Sequence, residues 1–336
     1  MDEMVKERQK PITVAVVGMG YMGKQHTSVW QQLGVRVVLC SRDASACRGY
    51  ADTYGMPVYT DYRTMLDKEK PDAVSVCLPT AMHYDAVKEA LERGIAVLCE
   101  KPFAADSKEA GELCCLAERK NVLLMVGHVV RFNRAYVYLK RCIEEQRFGK
   151  LKMLEMHRHS PMPAWSSGSW LTDVARSGGA VKDLHIHESD IIGYYFGVPR
   201  SVFCVGDYTA CTTIYSFEDN PAISASASWR DIPEYPFTVG YDAVFEKAAV
   251  RYRDFTVTLN DGDELKYPLL TEDFPPYLGS DNALENEIVY FLRCLRENRR
   301  PRLCPPEHSL AAMRINEAEL RSLESRMPVC VGELPK

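Results

Sequence analysis

The first 130 residues alternate between short apolar runs and mixed polar and apolar stretches. The β-branched apolar runs predict strands, and the mixed stretches predict amphipathic helices. The predicted strands are Ile12–Val17, Val35–Cys40, Ala73–Leu78, Ile95–Cys99 and Val122–Val126. The predicted helices are Lys24–Leu33, Ala44–Tyr54, Thr80–Arg93 and Ser107–Lys120. This alternation, with strands that are apolar throughout, is typical of a doubly wound parallel sheet buried on both faces.

The pattern changes after Gly127. An amphipathic stretch over residues 133–146 and a predicted strand over residues 151–158 precede a loop rich in Trp, Pro, Ser and Gly. Residues 201–269 contain several predicted strands separated by turn residues, as in an antiparallel sheet, and helical patterns follow over residues 282–298 and 306–325. We therefore predict an α/β domain over residues 11–127 and an α+β domain over residues 128–336. The pattern leaves open whether the last two helices pack on the first domain or the second.

Composition excludes several classes of protein. The 336 residues are 46% hydrophobic and 26% charged, which is typical of globular domains rather than disordered chains. The net charge is −5 and no run of like charges stands out, so nucleic-acid binding is not expected. The longest apolar stretch, Val122–Val130, is far shorter than the roughly 20 residues that cross a bilayer. With a charged N-terminus that lacks a secretory signal, these features predict a cytoplasmic protein.

The twelve cysteines are irregularly spaced and include no CxxC pair. They therefore predict free thiols rather than a disulfide framework or a structural zinc site. The histidine pairs His157/His159 and His185/His187 are each two residues apart, a spacing that does not favour a shared metal ion on a helix.

The first candidate site is the glycine-rich sequence Gly18-Met19-Gly20-Tyr21-Met22-Gly23, which directly follows the first predicted strand and opens a helix. Glycines at this spacing let the backbone approach a pyrophosphate, whose charge is met by the helix N-terminus. We therefore expect Gly18, Gly20, Tyr21, Met22 and Gly23 to contact NAD or NADP.

The end of the second predicted strand bears on the choice between these cofactors. An acidic residue there usually binds the ribose of NAD, but the sequence reads Ser41-Arg42-Asp43. Ser41 holds the expected acidic position, and Arg42 suits a 2′-phosphate, so the sequence favours NADP slightly over NAD. Asp43 remains an alternative ribose ligand if the strand ends two residues later.

Two further motifs carry candidate catalytic groups. Glu100-Lys101-Pro102 lies at the carboxyl end of a predicted parallel strand, where open α/β sheets bind their ligands, so Glu100 and Lys101 are expected at the cofactor. In the second domain, a helix through Gly178 and Gly179 would place Asp183 and His187 on one face, with Asp190 beside His187.

These motifs, in this order, resemble the glucose-fructose oxidoreductase and inositol dehydrogenase (Gfo/Idh/MocA) family over nearly the whole chain. The resemblance rests on GxGxxG, Glu-Lys-Pro and the sequence G-G-x-x-x-D-x-x-x-H. It implies an N-terminal Rossmann domain and a C-terminal domain with an open, mostly antiparallel sheet that forms dimers or tetramers. It also implies that Lys101, Asp183 and His187 are the catalytic lysine, aspartate and histidine.

The chemistry of these residues agrees with that role. Oxidation of a secondary alcohol needs a hydride acceptor and a base for the hydroxyl proton. His187 is a suitable base, because its ordinary pKa lies near neutral pH. Asp183 can orient His187 or bind substrate, and Lys101 can donate to the developing alkoxide or carbonyl oxygen. The alternatives are a structural ion pair for Lys101 and a core histidine for His187.

Other positions are predicted to support the site. The loop Leu78-Pro79-Thr80 with His83 is similar to the family's cofactor-facing loop, although Thr80 also suits a helix N-cap. His128 and Arg131 follow the last strand of the first domain and are expected at the cofactor or substrate. Trp165 and Trp170 are candidates for stacking on a sugar ring, and packing on the domain is the alternative.

The leading functional hypothesis is an NAD(P)-dependent oxidoreductase acting on a ring hydroxyl or ketone of a sugar, glycoside or inositol. Ser41-Arg42 favours, as a second hypothesis, an NADPH-dependent reductase of a keto-sugar or dicarbonyl. A cofactor-sensing regulatory protein is a third, which the acid/base set of Lys101, Asp183 and His187 disfavours. A reaction that oxidises and then re-reduces its substrate, without net redox change, also stays open.

Overall fold

The computed structural model describes residues 11–163, 170–218, 221–232, 234–261, 264–266 and 273–332. Its first sheet has six parallel strands in the order β3-β2-β1-β4-β5-β6. These strands are β1 Thr13–Val17, β2 Arg36–Cys40, β3 Val58–Tyr59, β4 Ala73–Val76, β5 Ala96–Cys99 and β6 Leu124–Val126. The order reverses between β1 and β4, which in doubly wound sheets marks the ligand-binding crevice.

The helices of this part cover both faces of the sheet, with one apolar cluster on each side. They are α1 Tyr21–Gln32, α2 Arg48–Tyr54, α3 Tyr62–Glu69, α4 His83–Glu92 and α5 Ser107–Lys120. Short 3₁₀ helices occupy Ala44–Cys47, Thr80–Met82 and Val129–Phe132. The prediction of a parallel doubly wound sheet is confirmed, while β3 and α3 are elements that the sequence analysis missed.

The second sheet has nine strands in the order β14-β13-β12-β11-β7-β10-β9-β8-β15. Among the described strands, β7 and β10 pair in parallel and the other neighbours are antiparallel, as predicted. Its strands are β7 Leu151–Pro161, β8 Ser201–Gly206, β9 Ala210–Ser216, β10 Ala222–Arg230, β11 Thr238–Phe245, β12 Ala249–Arg253, β13 Thr256–Asp261, β14 Glu264–Lys266 and β15 Val329–Cys330.

Helices cover one face of the nine-stranded sheet. They are α6 Arg134–Glu144, α7 Val174–Ser177, α8 Gly179–Asp183, α9 Ile186–Phe196 and α11 Pro306–Ser325. One more helix, α10 Ala283–Arg296, precedes α11 in the chain. Strand β10 shows the division clearly, because Ile223, Ala225 and Ala227 are buried while Ser224 and Ser226 are half-buried on the opposite face. The small alternating residues of this strand therefore place the alanines toward the chain's own core.

The last two helices join the two parts of the molecule. Helix α10 packs on α1, where the rings of Trp30 and Phe291 lie 6.2 Å apart edge to face. Helix α11 packs on both α5 and α9, and Glu317 accepts hydrogen bonds from the N–H and hydroxyl of Ser107. The question left open by the sequence is thus answered: α10 packs on the first domain, and α11 bridges both.

The cysteines are free thiols, and all except Cys115 and Cys330 are buried. Among the described residues, no helix is long and apolar enough to cross a membrane.

Candidate active site

The glycine-rich turn after β1 is shaped by close backbone contacts. Gly18 has φ +96°, and a Cβ there would lie 2.4 Å from the carbonyl oxygen of Cys77. A Cβ on Gly23 would lie 1.8 Å from the carbonyl oxygen of Gly18. Gly18 therefore requires glycine for both conformational and steric reasons, and Gly23 requires it for steric reasons.

Gly20 differs from the other two glycines, because nothing lies within 4 Å of a Cβ built on it. It is the N-cap of α1 and offers no side chain to the helix, whose first turn carries no acidic residue. The N–H groups at this helix start are therefore available to an anion, and the open space allows close approach. The turn fits the pyrophosphate of a dinucleotide, with exposed Tyr21 and half-buried Met22 beside it.

The second strand ends where the sequence analysis predicted. Strand β2 ends at Cys40, and Ser41 follows it directly. Asp43 instead caps the next 3₁₀ helix, and Ser45 N–H donates to its Oδ1 over 2.9 Å. The hydrogen bonds from Ser45 lower the pKa of Asp43, which keeps it ionised. Arg42 is exposed beside this position.

Glu100 is buried at the carboxyl end of β5. Its Oε1 lies 3.0 Å from Nε2 of His26, and its Oε2 accepts the Lys101 N–H over 3.1 Å. Burial raises the pKa of Glu100, but hydrogen bonding and charge from His26, together with Lys101, outweigh burial, so the pKa lies below its ordinary value. The partnership with His26, itself 3.3 Å from the Ser75 hydroxyl, was not predicted from the sequence.

Lys101 and Asp183 meet across the two parts of the molecule. Lys101 Nζ donates to the main-chain oxygen of Asp183 over 2.7 Å and lies 3.3 Å from its Oδ1. The side chain of Lys101 is 16% exposed and that of Asp183 is 15% exposed, so the pair is open to a small ligand. The predicted convergence of these two motifs is therefore present in the structure.

The chain between Asp183 and His187 is not the continuous helix that the sequence analysis assumed. Helix α8 ends at Asp183 and α9 begins at Ile186. The N–H of His187 donates to Leu184 rather than to Asp183, over 3.3 Å. The carbonyl of Asp183 is left without its helical partner, and Lys101 takes it. The break thus creates the contact that joins the two motifs.

His187 is half-buried, and within the described residues its Nδ1 has no hydrogen-bond partner. Removal from water, helped by the positive charges of Arg158 and Lys101, holds its pKa well below the ordinary value. A neutral imidazole at neutral pH suits a proton acceptor. The expected partner Asp190 is bound elsewhere.

Asp190 forms a buried ion pair with Arg131, the residue predicted to reach cofactor or substrate. Arg131 Nε and Nη2 lie 2.8 and 2.6 Å from the two carboxylate oxygens, and its Nη1 donates to the Leu303 carbonyl over 2.7 Å. Protein groups therefore already bind the guanidinium. The sequence analysis did not predict this contact, because it could not show that α9 faces the turn after β6. His128 is buried next to the pair, with Nδ1 3.3 Å from Asp190 Oδ1.

The loop after β4 lies at the same edge of the sheet. His83 is buried, with Nδ1 2.8 Å from the Pro102 carbonyl and Nε2 2.7 Å from that of Leu78, so it ties this loop to the one after β5. Thr80 is not an N-cap: Pro79 precedes the 3₁₀ helix, and Met82 caps α4, neither with a side-chain hydrogen bond.

The structure bears on only one of the two tryptophans predicted to stack on a sugar ring. Trp165 lies outside the described residues. Trp170 is half-buried and packs on an apolar cluster that includes Leu171 and Ala180, which is the packing alternative named above. Within the part of the chain that the structure describes, no group of three or more metal-binding side chains occurs.

Two family models match the chain. The model described as an oxidoreductase family with an NAD-binding Rossmann fold matches residues 12–128, and the Gfo/Idh/MocA C-terminal domain matches residues 136–248. The chain belongs to the Gfo/Idh/MocA oxidoreductase family. The resemblance drawn from its motifs is confirmed.

Individual proteins resemble the chain over nearly their full length. It is 27% identical to the uncharacterized oxidoreductase YrbE of Bacillus subtilis, covering 97% of this chain and 98% of YrbE. It is 24% identical to inositol 2-dehydrogenase of Rhizobium meliloti, covering 96% and 99%. Levoglucosan dehydrogenase, solved with NADH and levoglucosan, superimposes with a TM-score of 0.82 over 96% of this chain and 100% of that one, at 19% identity, which shows the shared fold.

Proposed function

We propose that the protein transfers a hydride between nicotinamide C4 and a ring hydroxyl or ketone of a sugar, glycoside or inositol. The observation that carries this proposal is the contact of Lys101, from the edge of the parallel sheet, with Asp183, three residues before the start of the helix that holds His187. The glycine turn supports the same edge as the nicotinamide site, because the switch point between β1 and β4 lies there.

The residues divide the work of oxidation. The bound cofactor supplies the hydride acceptor. As the hydrogen of the substrate C–H bond is transferred as a hydride, His187 accepts the hydroxyl proton and the carbonyl group forms. Reduction follows the same steps in reverse. Lys101 donates to the substrate oxygen, and Asp183 holds Lys101 in place.

A direct assay tests the proposal. Purified protein is incubated with NAD⁺ or NADP⁺ and a panel of inositols, sugars and glycosides, and absorbance at 340 nm reports reduced cofactor. Keto-sugars and dicarbonyls are tested with NADH and NADPH in the reverse direction. We expect turnover with at least one ring polyol or keto-sugar. Absence of turnover across the panel, with cofactor bound, contradicts the proposal.

Arg42 favours NADPH, and with it the keto-sugar reductase as a second candidate. Ser41 removes the carboxylate that would repel a 2′-phosphate, and Arg42 is exposed next to it. We expect Arg42→Ala to weaken NADPH binding by about tenfold, as for an exposed charged hydrogen bond, and to leave NADH binding unchanged. Titration of protein fluorescence with each nucleotide measures both dissociation constants.

A different result of the same titration would contradict the role of Arg42 in NADPH binding. Wild-type preference for NADH, with no effect of Arg42→Ala, assigns the ribose to Asp43 or to the main chain and favours a dehydrogenase. Arg48→Ala is the matched control, because Arg48 is also an exposed arginine but lies in α2, past the strand end.

A further inference from the structure

The proposed reaction needs groups from two parts of the molecule at a fixed distance. Lys101 follows β5 of the parallel sheet, whereas His187 lies in the first turn of α9. An error of about 1 Å between such groups lowers the rate by about a hundredfold. The contact of Lys101 with Asp183 lies before α9, so it does not itself fix the helix that carries His187.

A buried set of three residues connects α9 to the parallel sheet. Arg131, in the 3₁₀ helix after β6, binds both carboxylate oxygens of Asp190 in α9. Both side chains are 1% exposed. The two parallel hydrogen bonds of a guanidinium with a carboxylate fix orientation as well as distance. Asp190 lies three residues after His187, on the same side of α9.

His128 is buried beside this ion pair, and among the described residues neither of its ring nitrogens has a hydrogen-bond partner. Its Nδ1 is 3.3 Å from Asp190 Oδ1, and its side chain is 2% exposed. The preceding residue, Gly127, is packed against Glu100: a Cβ on it would lie 3.6 Å from Glu100 Cα. Burial lowers the pKa of His128 to about 4 despite the nearby carboxylate of Asp190, so the ring is neutral near pH 7.

We propose that Arg131, Asp190 and His128 form a clamp between α9 and the segment that directly follows β6, and that this clamp holds His187 at its working distance from Lys101. The three are positioning residues for the reaction, and this inference rests on the proposed function. Stability alone is a poor reason for the clamp, because a buried ion pair pays a large desolvation cost and an apolar replacement is often as stable. A bidentate ion pair fixes both the distance and the orientation of the two segments, which an apolar contact does not.

The test uses Asp190→Asn, which keeps the shape of the side chain and removes its charge. The matched control is Glu188→Gln. Glu188 is equally buried in α9 and binds Arg158 over 2.8 Å, but Arg158 belongs to β7, so that pair does not cross to the parallel sheet. Both variants lose a buried ion pair of α9. Only Asp190→Asn loosens the connection between α9 and the segment after β6 of the parallel sheet.

For Asp190→Asn we expect kcat to fall by about 10- to 100-fold, with KM and the NADH dissociation constant changed less than about threefold. For Glu188→Gln we expect a lower melting temperature with kcat within about threefold of wild type. His128→Asn, which leaves the ion pair intact, is expected to lower kcat in the same direction. It also keeps the test available if Asp190→Asn does not fold.

Hydrogen exchange gives a readout that does not depend on turnover. We expect Asp190→Asn to speed amide exchange both in residues 127–134 and in residues 186–196, and Glu188→Gln to speed it in residues 151–161 and 186–196 only. Equal losses of kcat in both variants, or unchanged kcat in Asp190→Asn and His128→Asn, overturn the clamp. A wild-type protein without turnover contradicts the proposed function instead, and the exchange pattern then decides whether the clamp joins α9 to the segment after β6.

Discussion

Replacing Lys101 with methionine is expected to lower kcat/KM by about a hundred- to a thousandfold while NADH still binds. Methionine keeps much of the length of the side chain and removes the donor that faces the substrate oxygen, a loss of the size seen when one preorganised donor is removed. The measurements are initial rates with the best substrate of the panel, and NADH titration by fluorescence. Binding is expected within about threefold of wild type, because the pyrophosphate site after β1 is untouched.

Lys182→Met is the matched control for this variant. Lys182 lies one residue before Asp183, and its Nζ also crosses to the first domain, where it donates to the Ala105 carbonyl over 2.6 Å. Its loss removes a lysine contact between the same segments but no donor from the proposed site. We expect kcat/KM within about fivefold of wild type. Equal losses in both variants indicate a structural role for Lys101, the alternative named from the sequence.

The order of the elements could be predicted because burial on both faces makes the inner strands apolar throughout. The predicted end of β2 at Cys40 coincides with the observed one. The missed elements are those with little burial. Strand β3 has two half-buried residues, and α3 buries only Met65 and Leu66. Its N-cap, Asp61, was the signal available, since its carboxylate accepts the Thr64 N–H over 2.8 Å.

The site was predictable as a set of motifs but not as a set of contacts. The sequence indicates that Lys101, Asp183 and His187 belong together, yet it contains no sign of the helix break that frees the Asp183 carbonyl. That break depends on tertiary contacts: His185, next to α9, is buried with Nε2 3.1 Å from the Thr213 hydroxyl of β9. The partner of Asp190 was unreadable for the same reason, because it lies 59 residues away in the chain.

The buried charges around the site follow a common arrangement. Glu100 pairs with His26, Asp190 with Arg131 and Glu188 with Arg158, each at a point where two elements of secondary structure meet. Glu287 of α10 is the exception: within the described residues neither carboxylate oxygen has a partner, and burial raises its pKa well above the ordinary value. The negative charges of Glu100 and Asp190 raise this pKa further, and a raised pKa favours the neutral carboxyl group beside them.

Replacing His187 with asparagine is expected to lower kcat by about a hundred- to ten-thousandfold and to change the pH dependence of what remains. In the wild type, burial and the charges of Arg158 and Lys101 hold the His187 pKa well below 6.5. A base acts in its neutral form, so kcat/KM should stay level as the pH falls through 6.5 and decline only at the lower pKa. In His187→Asn this acid limb should disappear.

The fall of kcat/KM at low pH must be distinguished from unfolding of the protein at low pH. His128 and His187 both have pKa values below those of the unfolded chain, so the unfolded state binds more protons and stability falls as the pH drops below about 6.5. Melting temperatures across the same pH range identify where the protein is still folded. His159→Asn is the control for loss of a histidine outside the proposed site. His159 lies on the open face of the second sheet, bound to the Ser228 hydroxyl. An acid limb centred near 6.5, or one retained in His187→Asn, means that another group accepts the proton.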